Sequence, residues 1–169
     1  MDMTVRPLVE ADRPWAVELM RERWGGAIQV VNGRARDASL LEGFIAEENG
    51  EPMGLVTYEM RGAEAELVTL NSLREHAGIG SALVAAVAGE AWKQGCRKLS
   101  VVTTNDNVNA LRFYQRRGFV LSALRTRELE RSRRIKPEIP ELGLDDIPIR
   151  DELELMLVLD GPAAPLDAA

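Results

Sequence analysis

The chain has 169 residues, 46% hydrophobic and 28% charged, which suits one soluble globular domain with a buried core and leaves too little for two. Its formal net charge of −6 gives no overall attraction for nucleic acid or an anionic membrane, and no apolar run is long enough for a helical membrane span. A lone cysteine, Cys96, excludes an internal disulfide and a structural zinc site and fits a reducing compartment. The opening MDMTVRPLVEAD lacks the basic-then-apolar pattern of a signal peptide, so a cytoplasmic location is expected.

MTVRPL predicts a short first strand that ends at Pro7 or soon after. Asp12 can cap a helix running to about Trp24, with Ala16, Leu19, Met20 and Trp24 at helical spacing. Residues 25–42 are punctuated by glycine and read as either a short helix or a mobile loop. Asn49-Gly50 is a strong hairpin signal between FIAEE and MGLVTYEM. AEAELVTL then alternates Glu64, Glu66, Val68 and Leu70 against Ala65, Leu67 and Thr69. A long helix follows, with Leu83, Val84, Val87, Ala91 and Trp92 as its apolar stripe and Gly95 as its cap. RKLSVVTT predicts a short buried strand, NVNALRFYQRR a helix ended by Gly118, and FVLSALRTREL a further strand. Residues 128–150 read as a charged, proline-bearing loop, and ELELMLVL as the last strand, exposed and open to pairing across a homodimer. Residues 1–160 form one domain; 161–169, too poor in apolar residues to pack, form a flexible tail. The order of elements predicts an α/β (α+β) fold: a mixed sheet flanked by helices.

Chemistry concentrates where the long helix starts. Gly78 and Gly80 stand at its N-terminus, where unpaired N–H groups and the helix dipole can hold phosphate oxygens without a basic side chain. Small neighbours, Ala77 and Ser81, keep the approach open. A Walker loop is rejected because Gly80 is followed by Ser81-Ala82 and no lysine; a dinucleotide fingerprint would need glycine at Leu83. The pyrophosphate of coenzyme A remains, beside the plain reading of a flexible helix start.

Two stretches carry a resemblance. Glu75-His76-Ala77-Gly78-Ile79-Gly80, between a strand and a helix, is similar to the Q/R-x-x-G-x-G/A acetyl-CoA signature of the GNAT N-acetyltransferases. TTNDNVNALRFYQRRGF resembles the second signature of that superfamily, with Asn107, Ala110, Tyr114, Gly118 and Phe119 in place. The likeness covers about residues 3–127 and the final strand, and departs at Glu75, where the family usually has Gln or Arg.

The resemblance implies a mostly antiparallel sheet with a central splayed parallel strand pair, and acetyl-CoA as cosubstrate with no metal. It implies transfer of acetyl to a primary amine by direct attack in a ternary complex. The acceptor is a small molecule, or a peptide or protein amine. The competing reading is a CoA-binding sensor or scaffold with little turnover, which Glu75 favours. By position, Val68, Thr69 and Leu70 present main chain to pantetheine, and the turn Glu75, His76, Ala77, Gly78, Ile79, Gly80 and Ser81 holds pyrophosphate. Asn107 and Ala110 line the pantetheine arm, Asn107 also being placed to cap its helix. Tyr114 falls at the family's general acid, which would protonate a thiolate leaving group of pKa about 8.5. The amine must be neutral to attack, and either Glu64 or Glu66 can be the base; the position other members use on the next strand is Val102. His76 reads as a solvated neighbour of phosphate and Cys96 as inert. The run Arg125–Lys136 holds six basic residues, and the loop it opens borders the acceptor site in the family, as a possible cover with charge for an acidic group.

Overall fold

The computed structural model describes residues 2–162. Most of the predicted tail therefore lies outside the described residues. In chain order the first elements are β1 (Met3–Pro7), α1 (Arg13–Trp24), β2 (Ile28–Val31), β3 (Arg34–Asp37), β4 (Glu42–Glu48), β5 (Glu51–Arg61) and β6 (Glu64–Ser72). There follow α2 (Ile79–Lys93), β7 (Lys98–Thr104), α3 (Val108–Gln115), β8 (Val120–Arg125), α4 (Glu128–Ile135) and β9 (Glu152–Val158). Seven strands form one sheet in the order β1-β4-β5-β6-β7-β9-β8, and only the β6–β7 pair is parallel. This is the mixed sheet with a central parallel pair that the sequence implied.

The sheet is covered on both faces. Ala16, Leu19 and Met20 of α1 pack with Ile45 and Leu55, whereas Leu83, Val84, Val87 and Ala91 of α2 pack with Val56 and Tyr58. Neighbouring residues of β5 thus point to opposite layers, as pleating requires. The layer with α2 is the larger core; it takes in Tyr114 of α3 and Phe119 just before β8.

Asn49 (φ 55°) and Gly50 (φ 81°) make the left-handed two-residue turn between β4 and β5. The same dipeptide recurs at Asn32 (φ 50°) and Gly33 (φ 69°), where it joins β2 to β3 in a separate two-stranded sheet. Residues 25–42 are therefore a β-hairpin followed by a 3-10 turn at Ala38–Leu40, and neither the short helix nor the mobile loop expected. The flanking IQVV and RARD pair in full register around a turn whose two left-handed residues match strand twist.

The loop expected over 128–150 is also structured. It holds α4, a 3-10 turn at Leu144–Asp146 and a bridge between Leu142 and Pro148. Leu129 and Ser132, one turn apart, are buried, and Arg127–Glu130 and Glu128–Arg131 ion pairs lace the exposed side. Lys136, buried at the end of α4, donates from Nζ to the carbonyls of Trp24 and Ile28, both at 2.9 Å. Arg133 donates to the carbonyls of Ile139, Pro140 and Ile149. Lys136 and Arg133 are thus committed to holding α1, β2 and the return segment together, whereas Arg131 and Arg134 are exposed. The last strand corrects another expectation. β9 lies between β7 and β8, and the sheet edge on that side is β8.

Candidate active site

β6 and β7 pair from Glu64↔Lys98 to Leu67↔Val101 and then part. Beyond that point β6 stays paired to β5 as far as Ser72, and β7 to β9 as far as Thr104. The inner edge of β6 from Val68 to Ser72 is left without a strand partner, a condition that exposed main-chain groups resolve only with solvent or a ligand. A bulge marks the same place: Tyr58 pairs with Leu67 and Thr57 with Thr69, so Val68 is the extra residue. The alternation read from the sequence therefore holds only to Leu67. Because cross-strand partners share a face, Thr69 joins the face of Thr57 and Glu59, and Leu70 passes to the α2 layer.

The gap between the strands is a groove of about 600 Å³. Val68, Thr69 and Leu70 line one bank, Asn107, Ala110 and Tyr114 the other, and the turn from Glu75 to Ser81 closes one end. All of the residues predicted to meet the cofactor thus lie along one continuous channel.

At the turn, His76 (φ 57°) and Gly78 (φ 75°) adopt left-handed conformations that swing the chain into α2, leaving the N–H groups of its first turn without intrahelical acceptors. Gly80 lines the groove and also has a packing role. A Cβ there would stand 3.0 Å from Cζ of Phe113, so its missing side chain lets α3 press against α2. Ser81 is buried, and its Oγ accepts from Arg117 Nε at 2.8 Å.

Asn107 caps α3, its Oδ1 accepting from the N–H of Ala110 at 3.1 Å. Tyr114 lies edge-on to Phe113 and Phe119, with ring centroids 5.0 and 5.2 Å away. Burial pushes its phenol above the ordinary range, and the nearby Arg117 charge only partly offsets this. Arg117 is stacked 3.6 Å over the Phe113 ring and also donates to the Phe113 carbonyl. With Arg74, Arg112 and Arg116 it makes the groove basic on a chain that is acidic overall. Sequence reasoning missed these four arginines, three of which stood in the quoted RFYQRRGF.

Glu64 and Glu66 stand on the opposite face of the sheet from α2. They line a second cavity, of about 320 Å³, beneath the β2–β3 hairpin. Glu66 accepts from both terminal nitrogens of the buried Arg36, at 2.6 and 3.0 Å. Glu64 lies at the paired end of β6, largely exposed, with Lys98 Nζ 3.1 Å away. Both cavities reach the crotch of the splay, Glu66 and Ser100 lining one and Leu67 and Val101 the other. His76 is exposed at the turn, and Cys96 is buried, where desolvation raises its thiol pKa.

Residues 7–119 match the model of the acetyltransferase (GNAT) family. The chain belongs to the GNAT acetyltransferase family. Among curated relatives, the uncharacterized protein YdhI of Bacillus subtilis (strain 168) is 36% identical over 159 residues, covering 94% of this chain and 99% of that one. Among solved structures, an IAA acetyltransferase from Bacillus cereus ATCC 14579 has a TM-score of 0.70 at 20% identity, covering 94% of this chain and 100% of that one. A Bacillus subtilis acetyltransferase solved in complex with CoA has a TM-score of 0.68 at 19% identity, covering 94% and 99% of the two chains. The GNAT signatures read in the sequence thus sit on a GNAT fold. Among the described residues, no helix of this GNAT chain is long and apolar enough to cross a membrane.

Proposed function

We propose that the protein transfers an acetyl group from acetyl-CoA to a primary amine by direct attack in a ternary complex. One observation carries the reading: β6 gives up its partner at Leu67↔Val101, leaving a strand edge along a groove that ends at a helix N-terminus. An extended pantetheine arm can pair with the Val68–Leu70 main chain as a missing strand would, while pyrophosphate meets the N–H groups of the α2 turn. The arginines of the groove add long-range attraction for the phosphates. Glu75 then matters little, because main-chain donors and those arginines supply the anion site.

The chemistry divides between the two faces. Tyr114 keeps its proton because it is buried, so it suits the role of general acid to the departing thiolate. Glu66 and Glu64 are the candidates to take the amine's proton, and Glu66 stands two residues nearer the open splay. A thioester threaded through the gap presents its carbonyl to the hairpin side, where an amine can attack.

Initial rates with acetyl-CoA and a panel of amines test the reading. Thiol release matched by acetylated amine, with intersecting double-reciprocal lines, is the expected result. Parallel lines would indicate an acetyl-enzyme instead of a ternary complex. Tight binding of acetyl-CoA with no amine-dependent thiol release would leave a CoA-binding sensor.

A further inference from the structure

The cavity under the β2–β3 hairpin is not electrically uniform. At its β5 end, the guanidiniums of Arg34, Arg36 and Arg61 all donate to one oxygen, Oε2 of Glu59, at 2.6, 2.9 and 3.1 Å. Arg36 also holds Glu66, so three guanidiniums there share two carboxylates and one positive charge is in excess. Arg34 and Arg61 are about half exposed, and each gives Glu59 one of its five N–H donors.

The β9 end has the opposite imbalance. Arg125 pairs with Glu152 at 3.0 Å and lies 3.8 Å from Glu154, so one guanidinium faces two carboxylates. Glu152 is fully committed: it is buried and also accepts from the N–H of Asn32. Glu154 is held only loosely, by that distant arginine and by Ser122 Oγ at 3.5 Å. It is also the cross-strand partner of Val102, which lines the groove between β6 and β7. Lys98 balances Glu64 between the two ends. Two donors on this wall, Arg36 Nε and Arg125 Nη2, have no hydrogen-bond partner among the described residues, which leaves unspent donor capacity around the cavity.

We propose that the acceptor is a zwitterion, its ammonium bound by Glu154 beside the open splay, in the cavity that the candidate bases Glu64 and Glu66 also line, and its carboxylate held by Arg34 and Arg61. The inference rests on the acetyl-transfer reading and names the class of amine. Spacing narrows the class further. Glu154 and Glu59 stand on strands three places apart, about 14 Å between backbones, a gap that the side chains shorten without closing. An α-amino acid carries both charges at one carbon and reaches one end only. A linear ω-amino acid, with several bonds between its charges, spans both. Both ends of such a ligand replace hydration with charge-assisted hydrogen bonds, the stronger kind.

The test compares ε-aminocaproate with its primary amide, which has the same length and amine but no negative charge. Wild-type enzyme is expected to use the carboxylate with kcat/KM at least about 10-fold higher, mostly through KM, as suits a site built to hydrogen-bond one substrate group. In the double variant Arg34→Gln/Arg61→Gln, that ratio is expected to fall close to one. Equal use of the two acceptors by wild-type protein would overturn the zwitterion alone, and the wild-type comparison needs no variant to fold. Preference retained in a folded double variant would overturn it as well. Binding of acetyl-CoA with transfer to neither acceptor nor to any other amine would overturn both this inference and the transferase reading.

Discussion

Tyr114 joins an observed packing role to the general-acid role proposed for it. Its ring is locked between Phe113 and Phe119, and the residue lines the groove. Tyr114→Phe deletes one oxygen and leaves the ring packing, so kcat is expected to fall roughly 100-fold, within the range of general-acid catalysis, with acetyl-CoA affinity nearly unchanged. The pH profile sharpens this. A phenol whose pKa is raised by burial keeps its proton to higher pH than a free one, so wild-type kcat should show no alkaline fall assignable to Tyr114 below about pH 10. An alkaline limb in that range that disappears in Tyr114→Phe would show that burial does not hold the phenol's proton to high pH, and an undiminished kcat in Tyr114→Phe would overturn the general-acid role itself. Gly80 carries a different lesson. Gly80→Val would push on the Phe113 ring, so lost cofactor binding in that variant would not by itself separate helix packing from ligand contact.

At the scale of elements, α4 and the segment after it act as a clasp. Lys136, itself buried, bonds the carbonyl at the end of α1 and another at the start of β2. Lys136→Met is expected to cost about 1–3 kcal/mol of unfolding free energy, the usual consequence of losing hydrogen bonds from a charged donor. Chemical denaturation measures this directly, and a change under about 0.5 kcal/mol would show that α1 and β2 do not depend on the contact. Replacing the segment by a short flexible turn would remove Leu129, Ser132 and Lys136 together and is not a neutral excision. The reason it looked like a loop is plain in the residues. Eight positions of α4 contain one leucine, one isoleucine and six polar or charged residues, too few apolar residues to show a helical period. The β2–β3 hairpin was more legible than its reading suggests, since Asn32-Gly33 repeats the Asn49-Gly50 signal. What hid it was the charge of Arg34-Ala35-Arg36-Asp37, whose burial depends on partners in β5 and β6 that no local pattern announces. The bulge at Val68 was invisible for the same reason: it is a mismatch between two strands, and a sequence displays one strand at a time.

Across the whole molecule, the two cavities lie on different sides of the sheet. The cofactor groove opens through the gap in the sheet, flanked by α2 and α3, and the charged cavity lies beneath the hairpin on the other side. Residues predicted to meet the cofactor fall along one channel because the two signatures flank the two strands that part. The cavity proposed for the acceptor was far less legible, being assembled from β2, β3, β5, β6, β7, β8 and β9, which are distant in sequence. The central claim is that acetyl-CoA supplies the strand partner that β6 lacks after Leu67. Amide hydrogen exchange with and without acetyl-CoA tests it most directly, because the claim concerns main-chain N–H groups. Saturating acetyl-CoA should slow exchange in Val68–Ser72 and in the α2 turn at Gly78–Ser81, with little change in β1, β4 or the Asn49-Gly50 turn. Binding confirmed by calorimetry with unchanged exchange at Val68–Ser72 would contradict the account.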